Sequence, residues 1–213
     1  MKTSAKTLFV SALTAIVLST TAFTSVASDK SLNATVLSFA IDFNKVVVSG
    51  NVNVELVQSE RPRVVIYDEY DKTLTTIKQR GDKLFINSDE EEPIKIVVYV
   101  KDLQRIDARN TANVITRGCF SSSVLQVFLN DKAKAYVNGE IGSLYTLIKG
   151  RSELKLKGSS QEHFSVKSEV SKLRTDSFAS LKTTTGSVEG DVLVQIDTPL
   201  KVQDTVVAKR MIR

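Results

Sequence analysis

The chain holds one histidine and one cysteine, which leaves few places for chemistry that needs paired ligands or a thiolate beside an imidazole. His163 stands in the run Ser159-Ser-Gln-Glu-His-Phe164, with a hydroxyl and a carboxylate next to it. A catalytic triad depends on convergence in space, not adjacency along the chain. The polar setting predicts a solvated histidine in a turn. A single histidine also rules out a two-histidine metal centre, and no CxxC, HExxH or phosphate-cradling glycine loop is present. Asp89, Glu90, Glu91 and Glu92 carry oxygens suited to calcium, but four like charges before Pro93 predict a wet, self-repelling turn. The stretch Gly186-Ser-Val-Glu-Gly-Asp191 reads as a turn without calcium-loop spacing. A polysaccharide-cleaving site would draw on Asp176, Glu189, Asp191, Lys182 and Lys201, whose spacing does not set them apart from surface charge. No catalytic, cofactor or metal site is expected. Cys119 has no internal partner; between Gly118 and Phe120 it reads as a small buried hydrophobe, with pairing between chains as the alternative.

The elements that would have to position any site are strands. Val46, Val48, Gly50, Val52, Val54 and Leu56 alternate with Val47, Ser49, Asn51, Asn53, Glu55 and Val57, the period of a strand with one buried face. Gly50 in the middle predicts a bend. Further strands are expected at 63–69, 73–79 and 94–100, with a short one from Leu84, turning at Pro62, at Arg80-Gly-Asp-Lys83 and at Pro93. After position 100, apolar runs recur at a nearly even interval, starting at Leu103, Leu125, Leu144, Phe164 and Leu181. Each has a second half with inward candidates: Ala112 and Val114, then Ala133, Ala135 and Val137, then Leu154 and Leu156, then Val170 and Leu173, then Val188, Val192 and Val194. A loose repeat of about 20 residues with β character predicts stacked coils that share one core. The expected fold is therefore all-β, a right-handed β-solenoid of short degenerate coils with hairpin-like strands at its N-terminal end. The rival is a β-sandwich. Helical apolar periodicity is nearly absent.

Residues 1–27 have the order of an export signal: Lys2 and Lys6, an apolar stretch from Leu8 to Phe23, and Ser25-Val-Ala27 before a cut at Ser28. Residues 28–43 then form a leader or cap, 44–202 a single domain, and 203–213 a tail ending in the basic run Lys209-Arg-Met-Ile-Arg213. Removing Lys2 and Lys6 from the 29 basic residues leaves 27 against 24 acids. That mild excess, with both signs interspersed, does not predict a nucleic-acid partner. No later segment is apolar enough to cross a bilayer as a helix. The expected location is the periplasm, the cell surface or the medium.

The stretch Phe43-Asn-Lys-Val-Val-Val-Ser-Gly-Asn-Val-Asn-Val-Glu-Leu56 resembles the opening strand of the putative auto-transporter adhesin head GIN domain family. The resemblance continues through Arg63-Val-Val-Ile-Tyr67, Gly81-Asp-Lys-Leu-Phe-Ile86, Ile94-Lys-Ile-Val-Val-Tyr-Val100 and Leu103-Gln-Arg-Ile106, and spans about 43–200. The repeated Ser-Gly pair of many members survives at Ser49-Gly50; later coils carry Asn138-Gly139, Lys149-Gly150 and Lys157-Gly158 instead. The resemblance implies an envelope location and an adhesin-like binding role without naming an activity. The partner class that a face of stacked polar side chains suits is a glycan or an envelope surface. Thr175, Thr183, Thr184 and Thr185 with Lys155, Lys157, Lys167 and Lys182 are candidates for a Thr/Lys ladder serving such a surface through many weak contacts. Other functions compatible with the sequence are a carbohydrate-active enzyme on the same scaffold and a structural envelope protein.

Overall fold

The computed structural model describes residues 34–39, 41–189 and 192–196. The expected signal, the tail from 203, Asp191 and Lys201, and the side chain of Glu189, lie outside the described residues. Fourteen strands build one curled, open sheet with no helix among the described residues. They are β1 (Thr35–Ser38), β2 (Lys45–Gly50), β3 (Val52–Gln58), β4 (Arg63–Ile66), β5 (Thr75–Arg80), β6 (Lys83–Ser88), β7 (Ile94–Val100), β8 (Arg105–Ala108), β9 (Asn113–Arg117), β10 (Phe120–Leu129), β11 (Lys134–Ile148), β12 (Glu153–Lys167), β13 (Lys172–Glu189) and β14 (Val192–Ile196).

From β8 to β13 the stack is parallel. Arg105 lies beside Gln126, Gln126 beside Tyr145, Tyr145 beside Phe164, and Phe164 beside Thr184. Every turn therefore uses nearly the same length of chain, as a stacked repeat requires. Two expected steps need correction. Leu144 faces His163 rather than Phe164, and His163 faces Thr183 rather than Leu181. Leu181 is 80% exposed and Val170 63% exposed, so neither is an inward residue. Apolar spacing misplaced them because the inward row turns polar in the last turns.

The register of β2 and β3 is the larger surprise. Val46 pairs with Ile106 and Val54 with Val114, a step roughly three times as long as the later turns. Between them the chain builds β4, the β5–β6 hairpin and β7, which extend the sheet outward from β2 and β3. Gly50 separates β2 from β3, as its position in the alternation predicts. Its φ is +84°, and a Cβ there would lie 1.9 Å from the Ser88 carbonyl oxygen, so the bend requires glycine.

The corners repeat for a local reason. Asn110, Asp131 and Gly150 occupy the left-handed region at successive turns, which these residue types tolerate best. Two positions later Ala112, Ala133 and Ser152 are buried, and Ser171 continues their row at the next corner. Ser152 and Ser171 donate hydroxyl hydrogen bonds to Lys149 O and Ser168 O. The core runs continuously along the sheet from Leu84, Val46 and Ile106 to Val127, and from Val54 and Val114 to Leu154.

Candidate functional site

Where β10 to β13 pass a second corner, their residues line an open trough of about 600 Å³. One row is Ser121, Glu140, Ser159 and Ala179; the next is Ser122, Ile141, Ser160 and Ser180. Ser123, Gly142, Gln161 and Leu181 form its third edge. The sequence puts a bend here because Gly139 and Gly158 stack. A Cβ on Gly158 would come within 2.1 Å of Gly139 O, and the φ of Gly158 is +101°. Three hydroxyls are tied down: Ser122 Oγ lies 2.8 Å from Val124 O, Ser160 donates to Ser180 Oγ at 3.0 Å, and Ser180 donates to Lys182 O at 2.9 Å. Ser121, Ser123, Ser159 and Gln161 line the same trough, and all four are exposed. The trough therefore offers hydroxyls and an amide at strand spacing, about 4.8 Å apart, between the apolar Ile141 and Leu181. Its one carboxylate is Glu140, whereas glycoside hydrolysis ordinarily uses two.

A second cleft, of about 360 Å³, opens on the outward side of β3, β7 and β9. Val57 and Val97 contribute to its lining together with Tyr67 and Tyr99. Glu55 stands among them, with Lys95 Nζ 3.1 Å from Oε1 and Arg117 paired to Oε2.

His163 is not the solvated turn residue that its neighbours predict. It lies in β12 and is 4% exposed. Its Nε2 is 3.0 Å from Thr146 Oγ1, and Phe178 meets its ring edge-on at 5.6 Å. Burial pushes the imidazole down to about 4, so it stays neutral at pH 7. Cys119 is likewise corrected: it is exposed at the corner between β9 and β10, because Phe120 takes the inward position.

The Thr/Lys ladder does not assemble as one row. Lys155 lies beside Arg174, Lys157 beside Ser177 and Lys167 beside Ser187, while Lys182 lies beside Glu162, 3.6 Å from its carboxylate. Thr183 continues the row of His163, and Thr184 that of Phe164. The outward row instead carries stacked rings. Tyr145 and Phe164 are 5.4 Å apart and nearly parallel, Phe128 lies 5.7 Å from Tyr145, and Arg105 sits over Phe128. In the acidic turn Glu90 accepts from the Asp71 amide and Asn51 donates to Glu91 O. Among the described residues no group of three or more His, Cys, Asp or Glu side chains could hold a metal. Asp176 is exposed where β12 and β13 slip register.

The model of the family described as putative auto-transporter adhesin, head GIN domain, matches residues 42–202. The chain belongs to this family. Several solved structures have a similar fold. A Bacteroides fragilis protein described as a putative adhesin aligns with TM-score 0.60 at 16% identity, covering 73% of this chain and 77% of its own. A Parabacteroides merdae protein of the same description aligns with TM-score 0.53 at 14% identity, covering 71% and 75%. A Parabacteroides distasonis protein described as a putative lipid binding protein aligns with TM-score 0.51 at 13% identity, covering 73% and 78%. At these identities the likeness is one of fold. No curated protein matches the sequence.

The trough and the cleft were not legible as sites in the sequence. The trough's serines look like ordinary strand polarity until the parallel register aligns them. Glu55, Lys95 and Arg117 lie far apart along the chain and meet only through the parallel pairing of β3 with β7 and β9.

Proposed function

We propose that the protein is an exported, non-enzymatic binding module of the cell envelope that holds glycan chains along the serine trough. The carrying observation is the repetition: the trough crosses four consecutive strands and presents Ser121, Ser123, Ser159 and Gln161 along its rows. A repeating, open surface suits a repeating polymer held by many weak contacts. Family membership supports the adhesin-like reading. On this reading residues 1–27 are removed at export to the periplasm or cell surface. Residues 28–43 cap the domain, residues 44–202 form it, with the stack from β8 to β13 as a right-handed solenoid, and 203–213 are a tail. The single carboxylate in the trough favours binding over cleavage.

The test is a glycan array and whole-cell binding on purified protein. The expected result is saturable polysaccharide binding, reduced at least about tenfold by Ser159→Phe, which fills the trough, and unchanged by Lys155→Ser on the other leg of β12. Absence of binding by folded protein sinks the reading. Release of shortened glycan chains would replace it with the carbohydrate-active enzyme.

A further inference from the structure

We infer that the tyrosine-walled cleft between β3, β7 and β9 is a second binding site, and that it takes a small acidic sugar, a saccharide bearing a carboxylate. This goes beyond the trough and does not depend on it.

The geometry begins with Glu55, outward-facing at the middle of β3. Its pairing partners in register are Val97 and Ile115, so Lys95 and Arg117 reach it diagonally from the two flanking strands. The Glu55 side chain is 19% exposed, whereas those of Lys95 and Arg117 are 47% and 64% exposed. The carboxylate thus holds the two cations from below and leaves their outer donors open to the cleft. A guanidinium has five N–H donors in a planar fork, and Glu55 occupies Nη2. The remaining donors of Arg117, with the ammonium of Lys95, suit a second carboxylate arriving from solvent.

The walls select what that carboxylate is attached to. Tyr67 and Tyr99 line the cleft, and among the described residues neither phenol has a hydrogen-bond partner. Arg63 rests over the Tyr99 ring at 3.6 Å, which fixes that ring and adds a third positive charge. Asp68 accepts from the Lys95 amide at 2.6 Å, so three cations stand against two carboxylates, Glu55 and Asp68, and the cluster keeps one net positive charge. Ring faces, open phenol hydroxyls and an excess of positive charge match a ligand with an apolar C–H face, hydroxyls and one negative charge. A volume of about 360 Å³ is at the small end of ligand pockets, which fits one sugar unit.

The experiment is ligand-observed NMR and calorimetry on the whole protein with glucuronate, glucose and acetate as probes. The expected result is saturable glucuronate binding with Kd on the order of millimolar, and at least about tenfold weaker binding of glucose and acetate. Arg117→Gln and, separately, Lys95→Gln are expected to weaken glucuronate binding about tenfold by removing a charge-assisted contact. Ser159→Phe is expected to leave it unchanged, which separates failure of this site from failure of the trough. Lys95 is exposed, so its variant remains informative if Arg117→Gln does not fold. The inference is overturned by glucose binding as tightly as glucuronate, by glucuronate binding that survives both charge variants, or by no saturation.

Discussion

The first and last turns of the stack are built on the same backbone register but filled with different matter. In the first, the inward row reads Leu84, Val46, Ile106 and Val127, each fully buried. Followed onward, the same row becomes Thr146, Ser165 and Thr185. A neighbouring row passes from Leu125 and Leu144 to His163 and Thr183. Early turns are held by hydrophobic burial. Later turns lean on the hydrogen-bond ladder and on side-chain bonds such as Thr146–His163 and Ser160–Ser180. A parallel stack tolerates this shift because each new strand inherits its backbone pairing from the one before.

The strongest challenge to the comparison is Ile106→Ala, at the centre of the apolar row. It is expected to cost about 4 kcal/mol in urea unfolding, the usual range for truncating a buried branched side chain. A cost near ~1 kcal/mol would mean that the early turns do not depend on burial. Next in size is acid. His163 titrates near 6.5 when unfolded, while burial holds it at about 4 in the fold. The stability it contributes is therefore complete above 6.5, falls as pH drops from 6.5 to about 4, and is flat below for this group. The expected loss is about 3 kcal/mol. His163→Gln should remove this component, read as the difference between the two proteins' unfolding free energies across that window. Identical pH profiles would show that His163 does not report on a dry interior. The smallest effect is Ser180→Ala, expected to cost about 1 kcal/mol by leaving the Ser160 hydroxyl without its acceptor, with loss of amide protection confined to the later turns. An effect as large as that of Ile106→Ala would erase the distinction.

The same contrast decides what could be read in advance. The alternation from Val46 to Val57 and the bend at Gly50 were legible because burial and backbone conformation leave local marks. The buried His163, the exposed Leu181 and the exposed Cys119 were not. From His163 onward inward positions such as His163 and Ser165 are as polar as outward ones, so apolar spacing loses its phase. The pairing of Val46 with Ile106 was hidden for another reason, since no local pattern encodes which distant strand will be a neighbour.

That long step also bears on the order in which the chain can assemble. Later parallel strands each pair across a short, nearly constant stretch of chain and can zip one upon another. Joining β2 to β8 closes a loop roughly three times as long, at an extra entropic cost of about 1 kcal/mol. The segment that comes first in the chain is thus disposed to dock late. Until residues 105–117 have emerged, the Val-rich β2 and β3 have no β8 or β9 edge to pair with. During synthesis or export they are the strands most in need of protection from other chains.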